Sequence, residues 1–408
     1  MKIVGLITEY NPFHNGHLYH IDKTKELTGA DAVIAVMSGD YVQRGTPSIM
    51  SKHQRASMAL QAGVSVVIEL PVMYATGSAE YFAEGAISIL DELGCIDSIC
   101  FGSECGNIEM LKIPARILSE EPDNYKEALQ EALRQGCAFP KARQIALQNC
   151  MEDSLANEIL SQPNNILGIE YLKAICHRKS PLQAYTFPRK SSGYHDTELT
   201  DFYSSASAIR QQLLSDNLET LKSQVPDTSF QILMQAWHTN YPINANDFSL
   251  LLKYRLLQET PKTLMQYQDV SEDLANRIYN NRNDFQNYDQ FCELLKTKEL
   301  TYSRISRSLL HILLQITKED LQQYKNSGIC RYAHILGFRT DSTTVLTHLN
   351  KYTRIPLLTR LTQSKELDDT ALHMLNQDIF ASDLYESVTA DKYQTPFCSE
   401  YQKQILRV

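Results

Sequence analysis

The stretch Lys2–His20, "KIVGLITEYNPFHNGHLYH", decides how the rest of the chain is read. Lys2 to Thr8 form a short apolar run suited to a buried strand. Asn11-Pro12 breaks it in the manner of a turn. A helical pattern then opens on three histidines at intervals of three, His14, His17 and His20, with Gly16 between the first two. His14 and His17 share a helix face, while His20 is rotated away from His14. A helix start presents unpaired backbone N–H groups and the positive end of the dipole. Gly16 lets the backbone approach a ligand, Pro12 stiffens the approach, and two imidazoles add donors. Strand, turn, His-x-Gly-His and helix in that order suit the phosphates of a nucleotide. The bland alternative is a set of surface histidines. A zinc site would want a further carboxylate or thiolate at ligand spacing; none stands out, and no metal site is assigned.

Working outward, four more strands are predicted at Asp31–Met37, Ser65–Leu70, Asp97–Gly102 and Leu182–Phe187, with helices at Lys52–Ala62 and Ala79–Leu93 between them. Their continuous apolar runs suit parallel strands covered on both faces. That order predicts an α/β fold, a doubly wound parallel sheet whose ligands bind beyond the carboxyl ends of its strands. "TEYNPFHNGH", "SGDYVQRG" and "FGSE" each follow a strand and would gather at that edge. Beyond about Phe202 strand signals fade and apolar residues recur at helical spacing, as in "SRISRSLLHILLQI". The expected organisation is a catalytic domain over 1–214 and a mostly α-helical region over 215–408.

The composition is that of an ordinary soluble globular protein: 408 residues, 43% hydrophobic and 21% charged. No apolar run approaches the ~20 residues of a membrane span, and the N-terminus lacks a signal-peptide pattern, so a cytoplasmic location without membrane contact is expected. Nine scattered cysteines without a Cys-x-x-Cys pair read as buried free thiols. A net charge of −9 argues mildly against bulk nucleic-acid binding but not against a local basic face. From Cys330 to Lys365 the cations Arg331, Arg339, Lys351, Arg354, Arg360 and Lys365 face only Asp341, and Arg304 and Arg307 precede them. That segregation suits an RNA face, or a solvated helix face.

The early motif resembles the His-x-Gly-His motif of the nucleotidyltransferase superfamily. "SSASAIR", Ser204 to Arg210, resembles that superfamily's late Ser/Thr-x-Ile-Arg motif, with Ser207 at the threonine position and Ala206 where a serine is usual. "TEYNPFHNGHLYH", "SGDYVQRG", "KHQRASMAL", "FGSE", "QPNNILGIEYLKA" and "SASAIR" together resemble the bacterial tRNA(Met) cytidine acetate ligases, densely over residues 1–210 and more sparsely to the end. The resemblance implies that acetate and ATP give acetyl-adenylate, whose acetyl group passes to N4 of the wobble cytidine of elongator tRNA(Met). It implies ATP as a substrate accompanied by Mg2+, and no tightly bound cofactor.

His14 and His17 are then the expected catalytic residues, donating to the α-phosphate. The expected ATP contacts are Ile7, Thr8, Glu9, Tyr10, Asn11, Pro12, Phe13, His14, Asn15, Gly16, His17, His20, Gly102, Asn164, Arg189, Lys190, Ser207 and Arg210. The expected tRNA contacts are Arg304, Arg307, Arg331, Arg339, Lys351, Arg354 and Arg360. Gln43-Arg44-Gly45 lacks the later glycine of an acetyl-CoA phosphate loop, and no CoA site is assigned. Two other readings share some of these motifs: a small-molecule adenylyltransferase, and a non-enzymatic RNA-binding factor. The oligomeric state is not legible.

Overall fold

Apolar runs flanked by helical segments can hide both faces only by lying side by side under two helical layers. The computed structural model, which describes residues 1–137, 139–151, 156, 159–189, 204–215 and 217–408, has that arrangement. Strands β1 (Ile3–Thr8), β2 (Ala32–Ser38), β3 (Val66–Leu70), β4 (Ser98–Ser103) and β5 (Gln183–Pro188) are parallel, in the order β3-β2-β1-β4-β5. Each lies within one residue of its expected boundaries. The helices used below are labelled in chain order: α1 (Asn15–Thr28), α2 (Lys52–Gln61), α3 (Ala79–Glu92), α4 (Pro163–Arg178), α5 (Ala206–Leu214), α6 (Tyr302–Leu314) and α7 (Asp369–Tyr393).

Alternate residues of β2 serve opposite cores. Ile34 and Val36 pack in one cluster with Phe82, Ala86 and Leu90 of α3. Val33, Ala35 and Met37 pack in the other with Ile21 of α1 and Met58 and Leu60 of α2. All are fully buried or nearly so. Burying a side chain of this size stabilises by about 1.5–3 kcal/mol, so each strand is held from both sides. The chain leaves β1 toward β2 and β3, then returns past it to β4 and β5. The carboxyl ends of β1 and β4 therefore frame the crevice of a topological switch point.

The region beyond 215 is mostly helical, as expected, but it also contributes strands. β6 (Ala333–Phe338) pairs antiparallel with β3, and β7 (Leu357–Leu358) and β8 (Leu406–Arg407) pair parallel with β6. The result is one eight-stranded sheet built from both halves of the chain. "AHILGF" is a six-residue, largely apolar run beside helical patterns, and a run that short has no period of its own. It is a strand because β3 offers an unpaired edge.

A buried ionic cluster joins the halves. The Lys52 ammonium, 1% exposed, lies 2.7 Å from Glu69 Oε1, 2.9 Å from Glu400 Oε1 and 2.7 Å from Ser382 Oγ on α7. Glu69 also bonds His334 Nδ1 at 2.8 Å. Glu69, His334 and Glu400 place ligand-type atoms within 4.8 Å of one another, but the lysine ammonium already supplies the cation between them. Among the described residues no helix is long and apolar enough to cross a membrane.

Candidate active site

The crevice at the carboxyl ends of β1 and β4 is a cavity of about 260 Å3. Its centre is the turn from β1 into α1. His14 is the N-cap of α1, its Nδ1 accepting the Gly16 N–H at 3.0 Å, while His17 Nδ1 accepts the His14 N–H at 3.2 Å. The two rings stack with centroids 3.7 Å apart. A ring nitrogen that accepts a backbone N–H carries the lone pair, so in each neutral imidazole the proton sits on Nε2. The reciprocal cap thus leaves both histidines with Nε2–H donors beside the helix N-terminus. Gly16 is glycine for a local reason: a Cβ there would stand 2.8 Å from His14 Cε1.

The rings are held neutral. Burial, then the charges of Arg189 and Arg210, pushes His14 down to about 3. Burial, then His14, Arg189 and His20, holds His17 well below its ordinary value. Burial also pushes His20 down to about 4, against the opposing effect of its Nε2 bond to the Cys100 carbonyl at 3.0 Å. Unfolded histidines titrate near 6.5. Between that pH and about 3 the unfolded chain takes up protons that the folded chain refuses. This contribution to stability is complete above pH 6.5 and is lost as pH falls toward 3. Urea unfolding at pH 7 and pH 5 is expected to show the loss, and His14→Asn to shallow it by about 1.4 kcal/mol per pH unit.

The other walls come from four strand ends. Glu9 and Asn11 follow β1, and Asn11 Oδ1 accepts the Ile49 N–H at 2.8 Å. After β2 comes a hairpin, Tyr41–Val42 paired with Thr46–Pro47, whose Gln43 and Arg44 line the cavity. Glu9 Oε1 accepts the Gln43 N–H at 3.0 Å. α6 supports this hairpin from behind, with Ser306 Oγ donating to the Gly45 carbonyl at 2.8 Å. Gly102 closes β4, and Arg189 follows β5 with Nη1 on Asn164 Oδ1 at 3.0 Å. Beneath the strand ends lies the fully buried Arg55, whose guanidinium bonds the carbonyls of Glu9, Ser38, Gly39 and Met50.

The late motif completes the site. Ser205 caps α5, accepting the Ala208 N–H at 3.0 Å, so that helix N-terminus and Ser204 to Ser207 line the cavity. Arg210 Nη1 donates to the Asn11 carbonyl at 2.8 Å and Nη2 to Ser207 Oγ at 3.1 Å, joining the two motifs. The usual serine at Ala206 is absent, and Ser205 holds the cap.

Of the expected ATP contacts, Ile7, Thr8, Glu9, Asn11, His14, Gly16, His17, His20, Gly102, Asn164, Arg189, Ser207 and Arg210 line this one cavity. Tyr10, Pro12, Phe13 and Asn15 do not. Tyr10 and Phe13 are buried behind His17, with Tyr10 edge-on to its ring at 4.9 Å, and Asn15 Nδ2 holds the Ser223 carbonyl at 2.8 Å. Lys190 lies outside the described residues. Asn165, the neighbour of Asn164, is fully buried and ties to Glu104 and Cys105 backbone N–H groups, while the Glu104 carboxylate in turn accepts the start of α4. Gln43, Arg44, Thr46, Phe82, Phe101, Leu167 and Tyr171 were not among the expected contacts. For Gln43 and Arg44 the signal was present: a polar turn directly after a parallel strand.

The seven cations read as one face are spread over the molecule. Arg304 and Arg307 lie on α6 behind the 43–46 hairpin, with Arg307 paired to Asp269 at 2.9 Å. Arg339 and Arg354 sit at the opposite edge of the sheet, Arg339 beside the start of β3 and Arg354 at the end of α3, paired to Glu92 at 3.0 Å. Phe82 of α3 lines the cavity and Glu92 lies ten residues further along, so about 15 Å of helix separates them. Arg331 and Arg339 are paired to Asp368 and Asp341. Lys351 and Arg360 are exposed. Sequence proximity suggested a patch because the opposing carboxylates, Glu92, Asp269 and Asp368, lie elsewhere in the chain.

The geometry can be set beside known proteins. The family model described as HIGH Nucleotidyl Transferase matches residues 1–399. A tRNA(Met) cytidine acetate ligase of Thermoanaerobacter sp. is 43% identical over 387 residues, covering 94% of this chain and 95% of the relative. One from Clostridium acetobutylicum is 40% identical over the whole of both chains. Among solved structures, apo Thermotoga maritima TmcAL superposes with a TM-score of 0.94 at 33% identity, and the same protein bound with alpha-thio ATP with 0.92 at 32%, each over 100% of both chains.

Proposed function

We infer the activity from the premise that this chain belongs to the HIGH nucleotidyl transferase family and, within it, to the tRNA(Met) cytidine acetate ligases. It is a ligase that couples ATP to acetylation of tRNA(Met). The observation that carries the reading is the paired imidazole caps, two neutral Nε2–H donors at a helix N-terminus opposite a second helix N-terminus with Arg210.

In the first step an acetate oxygen attacks the α-phosphorus and the bond to pyrophosphate breaks. His14 and His17 donate to the α-phosphate oxygens as charge builds there, and being neutral they need no proton exchange to do so. Arg210, Ser207 and the start of α5 hold the departing pyrophosphate. Arg189 and Asn164, beside Gly102, take the adenosine side. In the second step cytosine N4 attacks the acetyl carbonyl and AMP leaves. Glu9 is the single carboxylate lining the cavity among the described residues, so Mg2+ would ride on the triphosphate and its own waters rather than on a protein cage.

We assign residues 1–214 to nucleotide chemistry and 215–408 chiefly to tRNA. From the second part Arg304 and Arg307 stand on α6, behind the hairpin that carries Gln43 and Arg44. The setting is the cytoplasm, where nine free thiols are stable.

The test is acetate-dependent ATP–pyrophosphate exchange with and without tRNA(Met). Exchange that requires acetate supports the reading. ATP binding with no exchange in either case would return the choice to an adenylyltransferase of another acceptor. A second expectation follows from Gly45, whose φ is +76° and where a Cβ would lie 2.3 Å from the Arg307 backbone nitrogen. Gly45→Ala must shift the hairpin carrying Gln43 and Arg44. Calorimetric titration with ATP is expected to show about tenfold weaker binding, roughly 1.4 kcal/mol.

A further inference from the structure

The cavity is built for anions, yet one carboxylate stands in it. Arg44, Arg189 and Arg210, two helix N-termini and two imidazole donors all favour phosphate. Glu9 opposes them. A carboxylate repels both anionic reactants of the first step, ATP and acetate, and weakens their binding. Its place in the fold is defined. It ends the β1 turn on the β2 side, with Oε1 held by the Gln43 N–H at 3.0 Å. Its own carbonyl is gripped by the buried Arg55. Among the described residues its Oε2 has no hydrogen-bond partner. Gly102, Asn164 and Arg189 lie on the other flank of β1, at the end of β4, the start of α4 and the end of β5.

We propose that Glu9 is the catalytic base of acetyl transfer, receiving the exocyclic amine of the cytosine between the β1 and β2 ends. The proposal rests on the acetate-ligase reading above and adds a residue role to its second step. The acceptor is the one reactant that brings N–H groups to the reacting carbon. Its amine is weakly nucleophilic because its lone pair is delocalised into the ring. Glu9 Oε2 accepts one N4–H as N4 forms its bond to the acetyl carbon. As the tetrahedral intermediate collapses, the bond from that carbon to the AMP oxygen breaks and the electron pair leaves on the phosphate. The N4 proton passes to Glu9 and from it to water. Atoms and charge balance without any further reactant. The fixed Oε1 leaves Oε2 aimed by a single hydrogen bond, which is the orientation a general base requires.

The test compares two rates in the full-length enzyme with ATP, acetate and tRNA(Met): ATP–pyrophosphate exchange, and single-turnover transfer of acetyl from preformed acetyl-adenylate. Glu9→Gln keeps an oxygen for the Gln43 N–H and removes the basic site. Transfer is expected to fall about 10²–10⁴-fold more than exchange. Glu9→Asp is expected to recover part of the transfer rate. Equal losses in both rates, with a raised KM for ATP, would place Glu9 on the nucleotide and overturn the proposal. Normal transfer in Glu9→Gln would make it a positioning residue for the hairpin and would also overturn it. Wild-type enzyme without acetate-dependent exchange would remove the acetate-ligase reading itself, a failure distinct from the other two.

Discussion

His17→Ala is expected to lower acetate-dependent ATP–pyrophosphate exchange by about 10²–10³-fold, roughly 2.7–4 kcal/mol of transition-state stabilisation. The loss is one preorganised Nε2–H donor, fixed in tautomer because Nδ1 accepts the His14 N–H. His14 needs a different substitution, since it is also the helix cap. His14→Asn retains a good N-cap and removes the Nε2 donor. It should therefore unfold at nearly the wild-type urea concentration while losing exchange to a similar degree. If His17→Ala kept exchange within threefold, the imidazoles would be structural caps and the phosphate-donor role would be wrong. Because both rings are neutral at pH 7, wild-type exchange should show no titration near 6.5. A midpoint there would mean that an imidazolium does the work.

Lys52→Met should destabilise the fold by about 3–5 kcal/mol, read from urea unfolding. The ammonium is fully enclosed. Burial pulls its ionisation down, but Glu400, Glu69 and Asp40 outweigh that and hold it charged. Its removal leaves Glu69 and Glu400 facing each other without the lysine, each about 95% buried. The cluster also spans both halves of the chain, through β3, α2, α7 and the C-terminal segment. A double-mutant cycle tests the cause: Glu400→Gln placed on Lys52→Met should recover part of the loss. If Lys52→Met cost less than 1 kcal/mol, the cluster would be hydrated and the two halves joined by apolar packing alone.

How much of this was written in the chain can be judged element by element. The five parallel strands were legible because each is a continuous apolar run between turn residues, and a strand buried on both faces has no other way to look. The His-x-Gly-His turn and the Ser207 and Arg210 motif were legible because their chemistry is local: a strand end, a cap and a helix N-terminus within a few residues. β6 was not. A run of six residues carries no period, and its strand state is set by the free edge of β3, some 260 positions earlier in the chain. The basic stretch was legible only as a count of charges, for a related reason. A count along the sequence sees the arginines and not the carboxylates that meet them, such as Glu92 for Arg354. The hairpin carrying Gln43 and Arg44 shows the same division. Its residues are polar and its turn local, but its placement over the cavity depends on α6, more than 250 residues away, pressing against Gly45. By itself the sequence determined the fold class, the nucleotide motifs and the family, since these rest on periodicity and short-range geometry. Which charges stay available and which strand completes the sheet were decided only by the tertiary structure, because each depends on partners that long-range packing brings together.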